Sequence, residues 1–117
     1  MNILYLEDHN FFGDSINQIL KEDYPEHNIF YATTYAQAEE FIRKHSFKIS
    51  ILDVVLQNGK TGIHFVEKYS SSLGGILFVT GCKDESTLKA LEKYNHIEKN
   101  IEVLNNIKQF INTINAQ

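Results

Sequence analysis

Three short apolar runs in this chain each end abruptly on a polar group. Ile3, Leu4, Tyr5 and Leu6 run into Glu7 and Asp8, "ISIL" at 49–52 runs into Asp53, and "GGILFVTG" at 74–81 ends in Thr80 and Gly81. A run of four to eight mostly apolar residues, bounded by turn signals, reads as a strand buried on both faces. Helical spacing fills the gaps. From Phe11 to Tyr24, Phe12, Ile16, Ile19 and Leu20 fall on one face, and Pro25, the only proline, stops the pattern.

The remaining segments follow suit. Ile29 to Ala32 is a short strand, and Thr33 or Thr34 caps a helix carrying Ala38, Phe41 and Ile42. The strand at 47–56 gives way to the loop "QNGKTG" and a helix marked by Ile63, Val66 and Tyr69. Leu88, Leu91 and Tyr94 mark another helix, "HIEK" at 96–99 a polar fifth strand, and Leu104, Ile107, Ile111 and Ile114 a last helix. Five strands alternating with five helices predict an α/β fold, a parallel sheet covered on both faces. The second and fifth strands are the most polar and belong at the edges. The doubly wound order 2-1-3-4-5 places them there, in a flavodoxin-like three-layer α/β/α sandwich.

With 117 residues, 43% hydrophobic and 22% charged, a single domain over 1–117 is expected. A net charge of −4 and scattered Lys and Arg argue against direct nucleic-acid binding. No apolar stretch approaches the roughly 20 residues that span a bilayer. No basic leader precedes the first strand, and Cys82 has no second cysteine to pair with, so a cytoplasmic setting is expected. The five histidines lie too far apart in sequence for a zinc pairing.

Ligands of such sheets bind beyond the carboxyl ends of the strands, at the switch in strand order. There the chain offers Glu7 and Asp8 after strand one, Asp53 after strand three, Thr80 after strand four and Lys99 after strand five. Three clustered carboxylates call for a hard divalent cation, and Mg²⁺ takes oxygen ligands while keeping several waters. The hydroxyl and the ammonium suit an incoming phosphoryl group, which Asp53 can accept as nucleophile. Gly81 lets the backbone approach.

This order of motifs resembles the receiver domain of two-component response regulators, over essentially the whole chain. The family carries an acidic pair after strand one, a phosphoacceptor aspartate after strand three, Thr or Ser after strand four and Lys after strand five. The resemblance implies that Asp53 takes a phosphoryl group from a phosphohistidine on a sensor histidine kinase or a histidine phosphotransfer protein, and that the chain catalyses its own phosphorylation and dephosphorylation. It implies a Mg²⁺ site of Glu7, Asp8, Asp53 and the backbone carbonyl of Val55. It also implies a Thr80-driven rearrangement of the helix 4–strand 5–helix 5 face, through which output proteins or a second copy bind.

The departures are specific. Asn100 stands where the family has proline after the lysine, Gln57 stands in another proline position, and the loop before Gly62 is about one residue longer. The segment from Thr80 to Lys99 is short, so helix four is expected to be trimmed. His96 occupies a switch position usually held by Tyr or Phe. Cys82 lies at the rim of the site, and Phe11, out of phase with Phe12, is expected to be exposed beside it. The missing proline and the short segment define the alternative, a pseudo-receiver that binds partners without phosphorylation.

Overall fold

The computed structural model describes residues 1–56, 59–81 and 83–117. The expectations for Gln57 and Cys82 lie outside the described residues. The five strands are β1 (Asn2–Leu6), β2 (Asn28–Ala32), β3 (Ile49–Asp53), β4 (Gly75–Thr80) and β5 (Asn95–Glu98). The helices are α1 (Asn10–Asp23), α2 (Tyr35–Lys44), α3 (Gly62–Tyr69), α4 (Glu85–Leu91) and α5 (Val103–Asn115), with a 3₁₀ turn at Ser70–Ser72. All strand pairs are parallel and the sheet order is β2-β1-β3-β4-β5, as the polarity of the runs predicts.

The alternation of side chains along a strand divides the core in two. Ile3 and Tyr5 of β1, Ile49 and Ile51 of β3, and Leu77 and Val79 of β4 pack with Ile16 and Leu20 of α1 and Ile107 and Ile111 of α5. Leu4, Leu6, Leu52 and Phe78 face the other way, against Ala38 of α2, Phe65 and Val66 of α3 and Leu91 of α4. The apolar area buried on both sides of the three central strands is the main force holding the sandwich together.

Element ends differ from the sequence reading where side-chain and turn chemistry intervenes. The N-cap of α1 is His9, whose ring Nδ1 accepts the Phe12 N–H at 3.4 Å. Asp8, one residue earlier, belongs to the acidic cluster instead. Thr34 caps α2 by accepting the Gln37 N–H. β3 stops at Asp53 and not at Leu56, because the chain turns back there and Val55 pairs antiparallel with Thr61. β5 ends at Glu98, although the Lys99 N–H still donates to the Thr80 carbonyl at 3.0 Å. α4 holds seven residues, about two turns.

Candidate metal and phosphoryl site

Strand periodicity assembles the site. Glu7 follows Ile3 and Tyr5 by twos, Asp53 follows Ile49 and Ile51, and Lys99 follows Ile97, so all three stand on the α1/α5 side of the sheet edge. The β1–β3 register ends on Leu6 opposite Leu52, which brings Glu7 and Asp53 level one residue later. Glu7, Asp53 and Thr80 are buried and Asp8 is half-buried. One carboxylate oxygen from each of Glu7, Asp8 and Asp53 lies within 4.8 Å of the others.

Lys99 ties the acids together. Its Nζ lies 2.9 Å from Glu7 Oε1, 3.0 Å from Oε2 and 3.2 Å from Asp53 Oδ2. The His9 N–H donates to Glu7 Oε2 at 3.1 Å, so the buried carboxylate is held from two sides. The Phe12 ring lies 5.1 Å from the ammonium and covers it. Sequence reading assigned Phe12 to the core alone. Its position four residues after Asp8, in the first turn of α1, was the available signal for the second role.

The electrostatics follow from burial and crowding. Burial, then the hydrogen bond and charge of Glu7, push the Asp53 carboxyl up to about 7, against the opposing pull of Lys99. Burial and the neighbouring Asp53 raise Asp8 as well. Burial disfavours the Lys99 ammonium, but its hydrogen bond to Glu7 and the charges of Asp53 and Glu7 outweigh that and raise its pKa. With all groups ionised, three carboxylates face one ammonium and leave two uncompensated negative charges.

That donor set fits a hard divalent cation. Its candidate ligands are all oxygens, and an octahedral Mg²⁺ holds its ligands about 3 to 4 Å apart, close to the spread of this cluster. The loop after Asp53 is pinned by the Gly62 N–H donating to the Val54 carbonyl at 2.8 Å. A Cβ on Gly62 would stand 2.2 Å from the Asp53 carbonyl oxygen, so only glycine lets α3 start there. The Val55 side chain is exposed at the rim. Gly81 is different: a Cβ there meets only Lys99 Cδ, at 3.8 Å, an ordinary contact.

No protein-family model and no curated protein sequence matches the chain. Solved structures do. A CheY-like response regulator receiver domain protein from Methanospirillum hungatei JF-1 superposes with a TM-score of 0.78 at 20% identity, covering 98% of this chain and 96% of that one. The non-phosphorylated HemR receiver domain from Leptospira biflexa gives 0.73 at 24% identity, covering 97% and 93%. A Burkholderia pseudomallei response regulator, solved with a phosphorylated aspartic acid, a calcium ion and citrate, gives 0.71 at 20% identity, covering 88% of this chain and 63% of that one. The similar solved structures are mostly response regulator receiver domains, and this chain has their fold.

Proposed function

We propose that the chain is a phosphoacceptor receiver of a two-component or phosphorelay system, a single domain over 1–117 working in the cytoplasm. The observation that carries this reading is the convergence of Glu7, Asp8 and Asp53 on one point, with Lys99 bridging Glu7 and Asp53. A structural ion pair needs two partners. Three carboxylates about one ammonium suit a site that gains a cation and then an anion.

Glu7, Asp8, Asp53 and the Val55 carbonyl would hold Mg²⁺, which when bound supplies charge neutralisation between nucleophile and phosphoryl oxygens. Asp53 is the nucleophile. One of its carboxylate oxygens forms a bond to phosphorus as the P–N bond of a donor phosphohistidine breaks, and the departing imidazole takes up a proton from solvent. Lys99 stays beside Asp53 as a point charge for the phosphoryl oxygens. The Thr80 hydroxyl, at the end of the adjacent strand β4, takes a phosphoryl oxygen and so biases the α4–β5–α5 face. The donor would be a sensor histidine kinase or a histidine phosphotransfer protein. The output would be a protein that reads the altered face. Hydrolysis of the acyl phosphate, with water attacking phosphorus, returns Asp53 to its carboxylate.

Intact mass after incubation with Mg²⁺ and a small phosphodonor tests this. Gain of one phosphoryl group, dependent on Mg²⁺ and abolished by Asp53→Ala, is the expected result. The seven-residue α4 favours a second reading, an interaction module that never takes phosphate. No gain from any donor, by a folded protein that also fails to bind Mg²⁺, would establish it instead.

A further inference from the structure

Lys99 sits at the end of β5, yet its ammonium reaches Glu7 at the end of β1, three strand spacings away. That distance is about 14 Å. An extended lysine reaches about 6 Å from its Cα and a glutamate about 5 Å. The long lysine stem and the glutamate together bridge that gap, with a contact of 3.0 Å between them. The stem passes Gly81 at the end of β4, where its Cδ lies 3.8 Å from the position a Cβ would take. Where the ammonium stands therefore depends on where the backbone at Lys99 is held.

The backbone at Lys99 has little packing to hold it. Asn100 and Glu102 are exposed, and Ile101 is 96% exposed. Hydrogen bonds hold it instead, and three of them converge on Asn100. Its N–H donates to the Glu98 carbonyl at 3.0 Å, its carbonyl accepts the Val103 N–H at 3.0 Å, and its side-chain Oδ1 accepts the Glu102 N–H at 2.9 Å. The last is an Asx turn, a side-chain oxygen standing in for a backbone acceptor. It fastens the residue after the lysine to the start of α5.

We infer that Asn100 is a positioning residue for Lys99: its amide oxygen fixes the turn from which the lysine reaches across the sheet edge to Asp53 and Glu7. The role rests on the phosphoacceptor reading for its consequence in catalysis, but not for its geometry.

The test is a double-mutant cycle with two independent readouts. The variants are Asn100→Ala, which removes the acceptor, Asn100→Asp and Asn100→Ser, which keep one, and each of Asn100→Ala and wild-type Asn100 combined with Lys99→Met. At saturating Mg²⁺ and phosphoramidate, Asn100→Ala is expected to slow phosphoryl uptake about fivefold to twentyfold. Asp or Ser should bring it back to within about threefold, and Asn100→Ala should add less than about twofold when Lys99 is already methionine. The same coupling is read from the folding equilibrium of the metal-free protein: about a fivefold loss with Lys99 present and less than about twofold without it. If the wild type takes up no phosphoryl group, the functional reading fails, and the folding cycle alone decides the positioning role. Equal losses with and without Lys99 would overturn it. So would Asp and Ser variants no better than Ala.

Discussion

Lys99 Nζ and Glu7 Oε1, separated by 92 residues in the chain, stand 2.9 Å apart at the edge of the sheet. The glutamate is fully buried, and only 22% of the lysine side chain is exposed. Each explains why the other is tolerated. A buried carboxylate without a cation is costly, and the ammonium supplies its charge partner while the His9 N–H supplies a further hydrogen bond. The ammonium also stands against two of the three carboxylates proposed to hold the metal.

Replacing Lys99 by methionine therefore has two effects of opposite sign. Metal-free protein loses about 1–3 kcal/mol, because Glu7 and Asp53 remain buried without their cation. Mg²⁺ binding tightens, because no ammonium competes for the same oxygens. Urea unfolding at neutral pH, with and without Mg²⁺, measures both: the variant midpoint falls without metal and rises further than the wild type's when metal is added.

Asp53 makes stability fall with pH. An unfolded aspartate titrates near 4, whereas burial and the neighbouring Glu7 push the folded Asp53 up to about 7. The protonated group thus favours folding fully below about pH 4, and that contribution is lost as pH rises through about 7. Asp53→Asn removes the loss. The variant should match wild type near pH 4 and exceed it by about 1–3 kcal/mol at pH 8, in metal-free buffer. Thermal or urea unfolding across that range checks it, and a constant difference at every pH would reject this account.

Protons and metal compete for the same oxygens. Asp53 and Asp8 both hold protons more tightly than free aspartates. Mg²⁺ must displace what they hold, so its apparent affinity should rise by about tenfold per pH unit below 7 and level off above. Isothermal titration in buffers of different ionisation enthalpy would show proton release on the rising limb. Asp8→Asn should weaken binding at least tenfold while leaving the fold intact, since Asp8 is only half-buried.

Two glycines beside the site should behave differently. Gly62→Ala forces a methyl against the Asp53 carbonyl and should cost about 1–3 kcal/mol, displacing the aspartate it abuts. Gly81→Ala meets only the flexible stem of Lys99 and should cost under about 1 kcal/mol. Paired denaturation curves distinguish them.

Much of this was legible in the order of residues. The polarity of "HIEK" and of the residues around Ile29 put β5 and β2 at the edges, and the period of two put Glu7, Asp53 and Lys99 on one face. What sequence could not give were features set by backbone geometry and by neighbours distant in the chain. His9 caps α1 because Asp8 is occupied elsewhere. β3 stops at Asp53 because the chain folds back through the Val55–Thr61 bridge. Phe12 covers Lys99 only once α1 and the end of β5 are side by side. The glycine at 62, named only as a landmark, proves to be the one the Asp53 backbone demands.

The reach of Lys99 across the sheet carries a consequence for how the protein comes to exist. Its partners lie 46 and 92 residues away, so loop closure over nearly the whole chain precedes the first contact between cation and carboxylates. Lys99 reaches the acids only when β5 is docked on β4, so without that docking the cluster lacks its ammonium. A chain in which β5 has not docked on β4 presents the acids without the lysine. Competence to receive a charge-bearing ligand becomes a report on the completeness of the whole domain.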